Sequence, residues 1–160
     1  MSAAYAATLL REIDRINLHR RDALVDLVAH ACGDELLDAD IAILGAAFKP
    51  GSDDVRDSPA LAVAAAIQQR GANITVYDPQ ALDNAQRAYP ALTYATTITD
   101  ACNDADVVVL LTEWDQFRML HPDDLTGIVR HRSIIDGRNS LDPAPWRAAE
   151  WTYHAPGLRT

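Results

Sequence analysis

The residues best suited to chemistry cluster in one stretch, Gly45-Ala46-Ala47-Phe48-Lys49-Pro50-Gly51-Ser52-Asp53-Asp54-Val55-Arg56-Asp57-Ser58-Pro59. Lys49 is the only lysine of the chain, and every other fixed side-chain cation is an arginine. An ammonium on a flexible stem meets a phosphate as a compact point charge, whereas a guanidinium meets it as a planar fork. Lys49 is therefore a candidate phosphate ligand, with a solvated loop lysine as an equal alternative. Arg56 could add a bidentate contact. Asp53 and Asp54 admit three roles: capping the helix that follows, holding Lys49 or Arg56, or binding a metal, of which the first two are the commoner. Ser58-Pro59 is by itself a good helix start, with Ser at the N-cap and Pro at the first helical position. The stretch lacks G-x-G-x-x-G: Phe48 and Lys49 stand where close-approach glycines would be, so tight backbone contact with a pyrophosphate is not indicated.

Two further segments carry polar groups at strand ends. Asp78, in Val76-Tyr77-Asp78-Pro79, lies about where a ribose-binding acid sits in dinucleotide folds, though a turn-forming Asp-Pro is the preferred reading. Asp136-Gly137-Arg138-Asn139 is either an ordinary Asp-Gly turn or a turn, with Gly137 at positive φ, that projects Arg138 toward a ligand. Cys32 and Cys102 have no motif spacing and read as buried small hydrophobes in a reducing compartment. The five histidines are scattered, and none pairs with a cysteine as a zinc site requires. No serine or cysteine sits in a nucleophile motif.

The elements that position these residues follow from apolar patterning. Tyr5 to Cys32 has helical spacing, as one helix or two in series, with Gly33 as its cap. Ala3 to Leu10 is almost wholly apolar, more than one face of a surface helix needs, so this segment is either a frayed alanine-rich terminus or, the preferred reading, a helix that packs on another subunit or a further domain. After the acidic linker Asp34 to Asp40, strands and helices alternate. Strands are expected at Ile41–Leu44, Asn73–Asp78, Thr93–Ala95, Asp106–Leu111, Ser133–Asp136 and Trp151–His154. Helices are expected at Pro59–Arg70, Ala81–Ala88, Ile98–Asn103, Trp114–Met119, Pro122–Val129 and Pro143–Glu150. Apolar strands alternating with helices imply an α/β fold. The expected form is an open, doubly wound, mostly parallel, Rossmann-like sheet, preceded by an N-terminal helical segment. Ligands in such sheets bind at the carboxyl ends of the strands. That edge would gather the loop 45–58, Tyr77-Asp78-Pro79, Thr112-Glu113-Trp114 and Asp136–Asn139. The domain reading is a helical segment over 1–33 and an α/β domain over 34–160.

At 160 residues the chain can bury one real core, and 49% apolar residues argue against disorder. A net charge of −9 disfavours nucleic acid and membrane surfaces as partners. No run is long enough to span a membrane, and no signal peptide is evident, so a cytoplasmic setting is expected. On these grounds the chain is a nucleotide-binding α/β domain without a complete active site.

The segment Gly45–Pro59 resembles the G-x-x-F-K-x-x-T-D-D-x-R-x-S-P segment of the UDP-glucose/GDP-mannose dehydrogenase family. Val76-Tyr77-Asp78-Pro79 resembles its V-Y-D-P strand end, and Leu111-Thr112-Glu113-Trp114 its T-E-W/H segment. Ile135-Asp136-Gly137-Arg138-Asn139 resembles the D-G-R-N of its UDP-glucose 6-dehydrogenase branch. Asn17 with Arg20-Arg21 resembles the end of the family's long central helix. The family oxidises the 6-hydroxyl of a nucleotide sugar to a carboxylate with NAD, through a thioester on a cysteine in G-x-C-x-P-K-D. The resemblance covers only the C-terminal part of a family member, and neither Cys32 nor Cys102 matches that cysteine. It implies that Phe48 and Lys49 contact the UDP-sugar, that Arg138 binds the UDP portion, and that Arg56 reaches the NAD side. It implies no catalytic residue here, an NAD-binding domain as partner, and homodimerisation through the N-terminal helix. Acting on GDP-mannose or UDP-N-acetylmannosamine, or serving as a stand-alone nucleotide-binding or dimerisation module, are the alternatives. Ser52 replaces the family's threonine and keeps the hydroxyl. Ala46 replaces a common leucine. Pro156-Gly157-Leu158-Arg159 departs from G-x-G-R.

Overall fold

A computed structural model of the chain describes residues 2–157. Leu158 and Arg159 of the divergent tail lie outside the described residues. The first element is one continuous helix, α1 (Ala3–Ala31), rather than two in series. Ser2 caps its start, and Gly33 follows its end with φ +75°. The helix then divides by environment. Residues 3–20 are exposed throughout, and only its last turns join the core, through Val25, Val28 and Ala29. These lie against α2 (Pro59–Gln69) and against two strands of the sheet.

Six strands form that sheet: β1 (Asp40–Leu44), β2 (Asn73–Tyr77), β3 (Thr93–Tyr94), β4 (Val107–Leu110), β5 (Ser133–Asp136) and β6 (Thr152–His154). Their order is β3-β2-β1-β4-β5-β6. Every pairing is parallel, so the sheet is wholly rather than mostly parallel. The connections between them are α2, α3 (Leu82–Ala88), α4 (Ile98–Cys102), α5 (Asp115–Arg118), α6 (Pro122–Thr126) and α7 (Pro143–Ala148).

The central strands are buried along their whole length because helices cover both faces, and the sequence answers with near-continuous apolar runs. Ile41 to Leu44, Val107 to Leu110, and Ile134 with Ile135 are all inaccessible or nearly so. The strand order reverses between β1 and β4, both of which start near the centre of the sheet and run the same way. The loops leaving their carboxyl ends diverge there, which is where doubly wound sheets open a crevice for ligands. Gly45 closes β1 against β4 at that point. A Cβ on Gly45 would stand 2.5 Å from Thr112 Oγ1, and the residue has φ +110°, so only glycine lets the two loop roots meet.

Among the described residues no helix is long and apolar enough to cross a membrane. Cys102 is buried and Cys32 partly buried, and neither is in a disulfide. Burial pushes the Cys32 thiol up to about 11 and the Cys102 thiol up to about 12, so both stay protonated and unreactive at neutral pH.

Candidate functional site

The loop after β1 is built from its backbone outward. Ala46 and Ala47 are buried, so their amides and carbonyls need partners. Each finds a side chain from a different part of the fold. Ala46 N–H and Ala47 N–H donate to Asp78 Oδ2 at 2.8 and 3.0 Å. Ala46 C=O accepts from Ser58 Oγ at 2.7 Å, and Ala47 C=O accepts from Thr112 Oγ1 at 3.0 Å. Phe48 N–H then donates to Asp54 C=O at 2.8 Å, folding the rest of the loop back on itself. The chain is thus fixed up to Phe48, and beyond it the Phe48 and Lys49 side chains are left in solvent. Phe48 is 54% exposed, unusual for an aromatic beside a core. Among the described residues no ion pair or hydrogen bond engages the Lys49 ammonium.

Ser58 caps α2 as its type and position indicate, its Oγ accepting from Leu61 N–H. The two aspartates part ways. Asp54 grips Arg56 through both oxygens, at 3.0 and 2.8 Å, and also accepts from the Arg56 amide. The hydrogen bonds from Arg56 hold the Asp54 carboxyl down at about 2. Asp53 contributes its carbonyl, which accepts from Asn84 of α3. Arg56 lines an open groove of about 770 Å³ between this loop and α3, along with Asp54, Asn84 and Arg87. A second groove of the same volume lies at the amino-terminal edge of the sheet, beside Asp38, Asp106 and Ser133, away from these loops.

On the other side of the reversal point, Arg138 leaves the end of β5 and meets Glu113 from the loop after β4. Its Nε and Nη2 donate to the two carboxylate oxygens, the longer contact being 3.2 Å. The pair is partly exposed, and the Arg138 hydrogen bond holds the Glu113 carboxyl below the usual carboxylate range. Among the described residues, this side-on pairing leaves the Nη1 end of the guanidinium free for another acceptor. The turn departs from one of the two readings open in the sequence, the one with Gly137 at positive φ. Asn139, with φ +52°, is the residue in the left-handed region, not Gly137. Gly137 is required for closeness instead: a Cβ there would lie 2.8 Å from Leu110 C=O.

Asp78 and Asp136 do more than turn the chain. Asp78 is 1% exposed and accepts five hydrogen bonds: at Oδ2 from Ala46 N, Ala47 N and Trp114 Nε1, at Oδ1 from Gln80 N and Ala81 N. Asp136, fully buried, accepts from Arg138 N, Ser140 N, Ser140 Oγ, Leu141 N and the Tyr153 hydroxyl. Both carboxylates have their charge dispersed over protein donors, which is what makes their burial affordable. Asp78 is thus occupied by the protein's own amides, and a ribose-binding role does not fit. The signal for both was an aspartate ending an apolar strand. Nothing in the sequence indicated that three of Asp78's donors would come from distant loops, or that Tyr153 of β6 would reach Asp136, whose other donors lie in its own turn.

The fold therefore brings Phe48 and Lys49, from the loop after β1, to the same sheet edge as Glu113 and Arg138. Arg56 faces the groove toward α3. Among the described residues no cluster of three or more metal-ligating side chains occurs. An open parallel sheet of order 3-2-1-4-5-6, with solvent-facing cations on the loops at its reversal point, defines a nucleotide-binding α/β domain of the Rossmann class. Residues 42–143 match the UDP binding domain of the UDP-glucose/GDP-mannose dehydrogenase family, and the chain belongs to that family of nucleotide-sugar dehydrogenases.

Among relatives, a UDP-glucose 6-dehydrogenase of Rhizobium meliloti is 40% identical over 124 residues, covering 78% of this chain and 28% of that protein. One from Rickettsia conorii is 33% identical over 153 residues, covering 94% and 35%. A solved UDP-glucose dehydrogenase from Pyrobaculum islandicum superposes with a TM-score of 0.74 at 28% identity, covering 90% of this chain and 31% of that one. The chain thus spans about a third of the length of the relatives it matches.

Proposed function

We propose that this chain is the nucleotide-sugar-binding part of an NAD-dependent UDP-glucose 6-dehydrogenase, which oxidises UDP-glucose to UDP-glucuronate. The observation that carries the reading is the match to a UDP binding domain over a span that includes Phe48, Lys49, Arg56 and Arg138. In this reading Lys49 and the free end of Arg138 meet the diphosphate from two loops, one as a point charge and one as a fork. Phe48 supplies an apolar face beside them. Arg56, held by Asp54, faces an NAD-binding domain across the groove with α3. Residues 1–33 are the end of the central helix and 34–160 the UDP-sugar-binding domain.

The hydride chemistry belongs to NAD, bound mainly by that other domain. This chain's residues contribute binding and orientation. The chain alone is expected not to turn over, since neither Cys32 nor Cys102 stands in the family's cysteine motif. Two copies pair through the exposed part of α1, and the setting is the cytoplasm.

Titration calorimetry with UDP tests the binding claim. Wild type is expected to bind, and Lys49→Ala and Arg138→Ala are each expected to weaken binding by about tenfold, the cost of one charge-assisted contact. Equal affinity in all three proteins would refute the site. Preference for GDP over UDP in competition would move the substrate to GDP-mannose, and measurable NADH formation by the chain alone would overturn its inactivity.

A further inference from the structure

One buried carboxylate touches both halves of the proposed phosphate site. Asp78 Oδ2 accepts from the amides of Ala46 and Ala47, immediately before Phe48 and Lys49. The same oxygen accepts from Trp114 Nε1 at 3.1 Å. Trp114 is the neighbour of Glu113, whose carboxylate holds the Arg138 guanidinium. Asp78 itself is anchored from its other oxygen, by Gln80 N–H and Ala81 N–H at 2.9 and 2.8 Å, so it cannot follow one loop away from the other. The Trp114 ring is itself buried, which fixes the indole N–H as a rigid strut rather than a mobile side chain.

Lys49 and Arg138 sit on loops that are distant in sequence and otherwise solvent-facing. Two cations bind a diphosphate well only when their separation is set beforehand, because ordering them during binding subtracts from the affinity. We propose that Asp78 is the positioning residue of this site: it sets the spacing of Lys49 and Arg138 by tying the Ala46-Ala47 backbone and the Trp114 indole to one oxygen. The proposal rests on the reading that these two cations bind the diphosphate of a nucleotide. It assigns Asp78 no contact with ligand. Its five donors are all the protein's own.

Calorimetry with UDP on the whole chain tests it, using Asp78→Asn, Trp114→Phe and each change combined with Lys49→Ala. Asparagine keeps the shape of the side chain but turns an NH2 group toward amide or indole donors. Asp78→Asn is expected to weaken UDP binding about tenfold, and Trp114→Phe, which removes one donor only, about threefold. In the Lys49→Ala background each is expected to cost markedly less than in wild type, since a spacing between two cations has no value once one is gone. The Trp114 indole N–H resonance should shift in Asp78→Asn.

A purely structural Asp78 would lower the melting temperature but leave the affinity of the folded protein unchanged. That result, or full additivity with Lys49→Ala, would overturn the proposal while leaving UDP binding intact. If Asp78→Asn does not fold, Trp114→Phe decides alone: wild-type affinity overturns the proposal, and a loss that shrinks in the Lys49→Ala background supports it. No UDP binding by wild type would instead sink the functional reading beneath it.

Discussion

Tyr153 shows how much of this domain depends on satisfying strand-end carboxylates. Its hydroxyl donates to Asp136 Oδ2 at 2.8 Å, and both groups are buried. Burial first, and then the hydrogen bond to Asp136, push the phenol well above its ordinary value of 10.0. A group whose folded pKa is raised contributes stability that is complete below its unfolded pKa and is lost as pH climbs toward the folded one. Tyr153→Phe is therefore expected to cost about 1.5 kcal/mol at neutral pH, with the gap to wild type closing above about pH 10. Urea denaturation at stepped pH measures this, and a gap that stays constant to high pH would show that the hydroxyl is not the source. The sequence pattern announced Asp78 and Asp136 as strand ends, and no more. The amides that Asp78 binds in the first loop lie 32 and 31 positions away, and the Glu113 that holds Arg138 lies 25 away. Such partnerships depend on which strands become neighbours, and a single chain of letters does not state strand order. Gly137 shows the same limit: of the two turns the sequence allowed, the one with Gly137 at positive φ is not formed, and the glycine is needed because Leu110 C=O leaves no room for a Cβ.

At the scale of elements, the central strands were legible because β1, β4 and β5 are buried along nearly their whole length, which favours apolar runs that can be read without any knowledge of pairing. By contrast, β2, β3 and β6 carry exposed or half-buried polar residues and signal more weakly. The helices were legible from capping: Ser58-Pro59 marks the start of α2 by the same logic that the structure displays. Helix α1 was legible as a helix but not in its division of labour. Its final turns belong to the α/β core, whereas Tyr5, Leu9, Leu10, Ile13 and Ile16 are each 45–62% exposed. Tyr5, Leu9, Ile13 and Ile16 follow helical spacing, so they form one apolar stripe. The two halves should then respond oppositely to substitution. Val28→Ala is expected to lower stability by about 2 kcal/mol through the cavity it leaves, without altering association. Ile13→Asp is expected to change the stability of the α/β core by less than about 0.5 kcal/mol while abolishing the self-association proposed for α1. Denaturation and sedimentation velocity on the two variants separate these effects, and an Ile13→Asp protein that sediments as wild type does would remove α1 as the dimer contact.

The whole molecule carries a net charge of −9, yet the proposed ligand is itself an anion. Attraction must come from the short-range cations at the sheet edge, against a long-range field that opposes it. That arrangement favours a ligand whose phosphates fit between Lys49 and Arg138 over anions in general. It also separates UDP from NAD, the second nucleotide of the proposed function. Arg56 and Arg87 line the groove assigned to NAD, and each already has a partner, Arg56 in Asp54 and Arg87 in Asn84, whereas Lys49 has no competing partner among the described residues. UDP at about a hundred times its dissociation constant should stabilise the fold by about 2.7 kcal/mol, raising the melting temperature by about 5 to 10 °C for a domain of this size. NAD at the same concentration should leave it unchanged. Thermal melts followed by circular dichroism distinguish the cases. A shift with NAD and none with UDP would reverse the assignment of the two edges, placing the dinucleotide where the sheet-edge cations stand.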